Sequence, residues 1–211
     1  MKVSREQVAE NKRRILDAAG RLFRARGFEA VTVAEVMKEA GLTHGAFYGH
    51  FKSKDDLIAQ TLAHVVTPAS KAEGDLAQFA ASYLDPRHRD DRFGGCATAA
   101  LGPETIRQGP AARAAMTAGL RRQIERLSAR AAGASAAEKR QAAIGSWAAM
   151  VGGVILARLS DDPRLSDEVL AQTLAWIEGK GAAPGRKTRK ATTAGRRSHH
   201  MGGATRNRAE T

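Results

Sequence analysis

The sequence predicts an all-α protein, an N-terminal three-helix helix-turn-helix domain followed by a larger α-helical C-terminal domain. Three observations predict it. Capping signals recur at helical spacing through the first sixty residues. From Pro68 to Gly179 alanine is abundant and β-branched residues are sparse. No stretch shows the alternation of apolar and polar residues that a half-buried strand requires.

The first helix is expected to start at Ser4, with Gln7 three residues on, and to run to Arg26. Ile15, Ala18, Ala19, Leu22 and Phe23 form its apolar stripe, Gly27 ends it, and Phe28 folds back on it. Thr32 with Glu35 reads as a capping box, and Val31 with Val36 as a hydrophobic staple, for a helix over Val33–Ala40. Val33, Val36, Met37 and Ala40 share one face of that helix. Gly41 stops it, because a left-handed residue after a helix costs least as glycine. Leu42 can return to the stripe, and Thr43 is expected to cap a third helix from His44 to about His50. Ser53, with Asp56 at the box position, opens a fourth over Lys54 to about Val66, with Leu57, Ile58 and Leu62 behind it. Helix, three-residue turn, helix is the geometry that lays a second helix in the major groove of DNA.

Beyond it, the pattern predicts a helix over about Pro68–Leu84 and then a loop, DPRHRDDRFGG. Further helices are expected at Cys96–Gln108, Pro110–Ala131, Ser135–Ser160 and Ser166–Glu178. Gly109 breaks the chain before Pro110, which suits a first helical position. Asp161, Asp162 and Pro163 mark the last break, and Asp167 and Glu168 favour the following helix start. Ile144–Leu159 is apolar almost all round, so it must be covered on several sides. Gly145, Ala148, Ala149, Gly152 and Gly153 permit close approach of another backbone. That segment is expected to form a dimer with the last helix, through Val169, Leu170, Leu174 and Ile177; the alternative is the central core helix of a monomer.

The net charge of +12 is unevenly placed. From Lys180 onward nine basic side chains oppose only Glu210, a net +8, whereas residues 1–60 carry eleven against eight. Residues 180–211 hold one large apolar side chain, Met201, and are expected to be a disordered basic tail. No membrane association is expected, because no apolar run approaches the roughly 20 residues that cross a bilayer. The polar N-terminus does not read as a signal peptide. One cysteine gives no disulfide framework and fits a reducing cytoplasm. No metal-ligand spacing and no cofactor motif occurs.

Residues Asn11 to Val66 carry NKRRILDAAGRLFRARGFEAVTV, AEVMKEAGLTHGAFYGHF and KSKDDL. They resemble the DNA-binding domain of the TetR family of transcriptional regulators. YLDPRHRDD, GCATAALGPE and GGVILARLSDDPRLSDEVL are similar to the ligand-binding and dimerisation domains of one branch of that family. The resemblance implies a DNA-binding domain over 8–66, an effector-binding and dimerisation domain over 67–179, and the tail beyond. It further implies a homodimeric cytoplasmic repressor that leaves a palindromic operator when a small molecule fills each C-terminal domain.

DNA contacts are expected from Thr32, Thr43, His44, Gly45, Ala46, Tyr48, Gly49, His50 and Lys54. Thr43 divides its hydroxyl between cap and phosphate. His44 can donate to a purine N7 but cannot read bidentately as arginine does. Gly45 and Ala46 allow close approach, and the Ala46 methyl can meet a thymine methyl. Tyr48 matches the family tyrosine that touches backbone or base, and Gly49 stands where many members carry a longer side chain. Thr32, His50 and Lys54 match phosphate positions, while Phe47 and Phe51 are assigned to packing. With no arginine on the reading helix, specificity must rest partly on DNA shape. Effector-pocket candidates are Phe79, Tyr83, Cys96, Ile106, Met116, Leu120, Trp147 and Met150, whose character suits an apolar or aromatic inducer. Cys96, expected in the first turn of a helix, could sense oxidants or electrophiles, or be a small buried residue. The competing readings are a nonspecific DNA-coating protein driven by the basic tail and, least favoured, an enzyme; Cys96 has no base beside it in sequence.

Overall fold

The computed structural model describes residues 4–66 and 74–181, and these form nine α-helices and one 3₁₀ helix with no strand among them. Of the expected basic tail, Lys180 and Gly181 belong to the last helix, and residues 182–211 lie outside the described residues.

The head is built from local signals. Helix α1 (Arg5–Arg26) starts where the Ser4 hydroxyl accepts the Gln7 amide, and ends at Gly27, whose φ of 81° only glycine adopts cheaply. Helix α2 (Val33–Glu39) carries the full capping box: Thr32 accepts from the Glu35 amide, and Glu35 accepts from Thr32 N–H at 2.8 Å. Gly41, at φ 67°, makes the turn. Helix α3 (Lys54–Val65) is capped by Ser53, but the reciprocal carboxylate bond is displaced by one residue: Asp56 accepts from Lys52 N–H. Ile15, Phe23, Phe28, Val36, Met37, Phe47, Leu57 and Leu62 close the core at 1% exposure or less. Each such burial contributes about 1.5–3 kcal/mol. The rings of Phe23 and Phe28 meet edge-on at 5.2 Å, so the expected fold-back of Phe28 is present.

Helices α4 (Leu76–Tyr83), α5 (Pro86–Asp90), α6 (Ala97–Thr105), α7 (Pro110–Ser128), α8 (Ala136–Leu159) and α9 (Pro163–Gly181) make the rest. Tyr83, Leu127, Trp147, Met150, Val154, Leu170 and Ile177 form a second core. Leu101, Ala112 and Met116 instead complete the core of the head. α3 ends against α7, where a Cβ on Gly119 would lie 2.4 Å from Val66. That glycine is what lets the two helices approach.

Four expectations are corrected. The helix expected over Pro68–Leu84 begins only at Leu76, after Gly74 at φ 98° and a capping box of Asp75 with Gln78; residues 67–73 lie outside the described residues. The expected loop after Leu84 contains α5, because Asp85 caps the Arg87 amide and Pro86 supplies a preset first helical φ. The final helix starts at Pro163, not Ser166, since Asp162 accepts the Arg164 amide. Ser166 is buried inside that helix and donates to Ala157 O at 2.7 Å. The third helix is a 3₁₀ helix over His44–Gly49, and Thr43, at its N-cap position, makes no side-chain cap bond. Two glycines in six residues lower the helical propensity there, and short polar stretches of this kind settle into the tighter form.

Candidate nucleic-acid interface

The 3₁₀ helix is a thin layer over a fully buried anchor. Phe47 is 1% exposed and stacks on Phe51 with centroids 5.5 Å apart; it also meets Tyr48 edge-on. Both phenylalanines are core, as the pattern indicates. The anchor pins the helix and turns the rest outward: Thr43, His44, Gly45, Tyr48 and Gly49 are exposed, and Ala46 and His50 are half-buried. Tyr48 is 70% exposed, and its ring meets His44 edge-on at 6.3 Å. Although one edge of the ring touches Phe47 and His44, most of it is open to a partner. The Thr43 hydroxyl, released from capping, is exposed on the same edge.

Gly45 and Gly49 are not demanded by the fold. A Cβ at either would meet nothing within 4 Å, and neither has a positive φ. Their bareness therefore shapes the outer surface and not the core. On the flanks, Thr32 is tied into its capping box, where Glu35 is held down at about 2, chiefly by the Thr32 N–H and then by Arg26. Lys54 lies at the start of α3 and reaches Glu29 O at 3.4 Å. Two cations that the sequence reading left out share this edge. Lys52 is exposed beside His50, and the Lys12 ammonium sits 5.8 Å from the Phe51 ring centre. Lys12 was missed because it lies on α1, far in sequence from the turn.

The effector candidates divide. Phe79, Tyr83, Cys96, Trp147 and Met150 gather in the second core, with Tyr83 edge-on to Trp147 at 5.3 Å. Met116 and Leu120 pack on the head instead, and Ile106 is 74% exposed just past the end of α6. Cys96 is half-buried at the N-cap of α6, one residue before the helix rather than within its first turn. The fold brings it the neighbour that sequence proximity denied. Cys96 N–H donates to His88 Nε2 at 3.2 Å, while His88 Nδ1 meets Tyr83 O at 2.6 Å. This pairing requires the neutral imidazole, with its proton on Nδ1. Burial pushes the His88 pKa down, which keeps it neutral. Burial, with Cys96 beside it, pushes the Tyr83 phenol up. The Tyr83 hydroxyl and Trp147 indole N–H are both buried without a hydrogen-bond partner.

A short, anchored reading element on a three-helix support defines the class: a helix-turn-helix DNA-binding head. Residues 15–61 match the family model described as bacterial regulatory proteins, tetR family. The match covers the head alone, so it is the head that is similar to this family's DNA-binding domain. It is 40% identical over 57 residues to the HTH-type transcriptional regulator AcrR of Shigella flexneri, 27% of this chain and 26% of that one. The chain thus aligns with only about a quarter of this curated relative's length. Across the whole fold it is similar to E. coli NemR in its reduced form, at a TM-score of 0.63 and 23% identity, covering 80% of this chain and 95% of that one. A TetR-family regulator from Cytophaga hutchinsonii superposes at a TM-score of 0.65 and 16% identity, covering 85% and 98%. These two likenesses extend the fold beyond the head.

Proposed function

We propose that the protein is a homodimeric, sequence-specific DNA-binding repressor that a small molecule releases from a palindromic operator. The observation that carries this reading is the outward row of Thr43, His44, Gly45, Tyr48 and Gly49 on a helix anchored by Phe47. Tyr48 and His44 read or brace the groove, Ala46 meets a thymine methyl, and Gly45 and Gly49 let the backbone come close. Thr32, Thr43, His50 and Lys54 hold phosphates, which fix register without carrying sequence information.

The dimer reading is supported by apolar groups left outside both cores. Ile144, Leu156 and Leu159 on α8 and Leu165 and Trp176 on α9 are 43–75% exposed. Gly145 and Gly152 on α8 have open space where a Cβ would stand, which suits a second helix approaching closely. By length and hydropathy α8 is the one described helix that could cross a bilayer. Its Ala143, Met150, Val154 and Ala157 are packed within the second core, which favours a bundle helix in a cytoplasmic protein. The effector reading is supported by the second core, where an incoming apolar or aromatic molecule bearing an acceptor would satisfy Trp147 N–H and Tyr83 O–H.

The test is selection from a random duplex pool with the full chain, followed by sedimentation of the complex. The expected result is a palindromic consensus bound by two chains. A monomer, or a chain indifferent to sequence, overturns the reading.

A further inference from the structure

We propose that the DNA footprint reaches past the reading turn onto α1, where Lys12 holds a phosphate of the nucleic-acid backbone. The proposal rests on the DNA-reading role argued above and adds to it a contact from a helix outside the helix-turn-helix.

One turn of α1 fastens the reading element at both ends. That element runs from Ala40, where α2 stops, to Phe51, just past the 3₁₀ helix. At its first end Arg14 Nη2 donates to Ala40 O at 2.6 Å, satisfying a carbonyl that the end of α2 leaves open. A Cβ on Gly41 would lie 2.7 Å from that nitrogen, so the bare glycine lets the guanidinium in. At the other end the Lys12 ammonium lies 5.8 Å from the centre of the Phe51 ring. Phe51 in turn stacks on Phe47, the anchor of the 3₁₀ helix. Ile15, next to Arg14, is fully buried in the core of the head, so this turn of α1 moves only with that core. The Lys12 charge is therefore held in fixed register with the outward row of His44 and Tyr48.

That charge is placed but uncommitted. Among the described residues the Lys12 ammonium makes no hydrogen bond and no ion pair; what it meets is the Phe51 ring. An ammonium has three donors and no acceptor, and a ring leaves those donors available to an anion. Lys52, exposed on the same edge, has no ion pair among the described residues either. The carboxylate on which both cations bear is Asp56, already engaged by Lys52 N–H at 2.9 Å and by the Gln60 amide at 2.8 Å. Those two bonds, and then the charges of Lys52 and Lys12, keep Asp56 below its ordinary value. One carboxylate against two cations leaves the edge positive. His50, whose ring lies 6.3 Å from that of Phe51, joins this edge to the reading row. A positive edge continuous with a reading surface suits a polyanion, and phosphate contacts fix register without reading bases. Lys12 is therefore expected to set affinity and not sequence preference.

The test is the salt dependence of binding by the full chain, with the selected duplex as probe. Lys12→Met keeps an apolar stem over Phe51 and removes the charge. The slope of log K against log salt should become shallower by about 0.9 for each Lys12 in the complex. Affinity at about 0.15 M salt should fall roughly fivefold or more, by the same factor for every operator variant. Lys12→Arg should restore the slope. Lys12→Gln is the second neutral variant, and a chain that folds with neither Met nor Gln has a structural lysine there, which overturns the proposal. A neutral variant with the wild-type slope overturns it too. So does a changed ranking of operator variants, because Lys12 would then support the reading turn without meeting phosphate. If wild type selects no duplex, the DNA reading and the contact fall together; if wild type selects one and Lys12→Met keeps its slope, only the contact falls.

Discussion

The head and the C-terminal bundle are both helical, yet they are specified in different ways. Every α-helix of the head has a side-chain N-cap: Ser4 for α1, Thr32 for α2 and Ser53 for α3. Its large apolar residues are nearly all inside. In the bundle, α6 and α7 have no side-chain cap bond, and α8 and α9 leave leucines, an isoleucine and a tryptophan in the open. The head hides its large apolar groups within one chain; the bundle leaves part of an apolar face exposed on α8 and α9. If the exposed face pairs two chains as proposed, stability and assembly belong to separate ends of the molecule, and substitutions should tell them apart.

The largest effect is expected in the head. Phe47→Ala empties a site 1% exposed beneath the reading helix and should cost about 3–5 kcal/mol, seen in thermal unfolding. Duplex binding should vanish with it. A variant that melts like wild type would mean that Phe47 is not the anchor. Next comes the bundle. Leu156→Glu with Leu159→Glu changes groups 57% and 75% exposed, so each alters monomer stability by only about 0.5 kcal/mol. Sedimentation should nonetheless give half the wild-type mass, with operator affinity down at least tenfold. An unchanged mass would move the dimer contact away from α8.

The same division explains what was legible in the sequence. Ser4, Gly27, Thr32 with Glu35, Gly41 and Ser53 each act within four residues of themselves, so the head could be read almost helix by helix. Ser135 likewise placed the start of α8, where it accepts the Glu138 amide. The pairing of His88 with Cys96 joins residues on either side of a turn whose helix, α5, was itself unforeseen. The Glu104–Phe28 bond spans 76 positions, and no local pattern announces it. The 3₁₀ form of the reading helix was missed for the opposite reason. Thr43 looks like a cap and stands at the cap position, but with two glycines following it the turn tightened without using its hydroxyl. Among the candidate site residues, those of the turn were visible because they are contiguous. The effector candidates do not gather in one place, because Met116 and Leu120 sit on α7, which also packs on the head, and Ile106 lies just past the end of α6.

Acid should distinguish the regions through different groups. In the head, Glu35 is held at about 2 against an ordinary 4.5, so its stabilising effect is present above 4.5 and is lost as pH falls towards 2. Glu35→Gln should remove that part of the acid profile of the head's helical signal. In the bundle, His88 is faced by Tyr83 O, the Cys96 N–H, Arg158, Asp85 and Asp91, and its pKa is lowered mainly by burial. Its contribution is full above its ordinary 6.5 and is lost as pH falls through the lowered value. The emission of Trp147, one ring away through Tyr83, should report that loss in a Trp176→Phe background. If His88→Gln leaves the emission profile unchanged, the imidazole is not the group that titrates.

The smallest effect on folding should come with a large effect on reading. Gly49→Ala places a methyl where nothing lies within 4 Å, on a backbone whose φ is not positive. Alanine also favours a helical backbone over glycine by about 1 kcal/mol, so the head should be no less stable. At a position in contact with DNA the methyl must instead displace the partner or find a base to touch. A change of preference at one base pair of each half-site, worth about 1–3 kcal/mol, is the expected result in competition between single-step operator variants. Gly45→Ala makes the same comparison one turn earlier, nearer the exposed His44. If both variants fold as wild type and rank every duplex as wild type does, the bare edge of the 3₁₀ helix does not face DNA. The reading surface would then have to be sought elsewhere on the head.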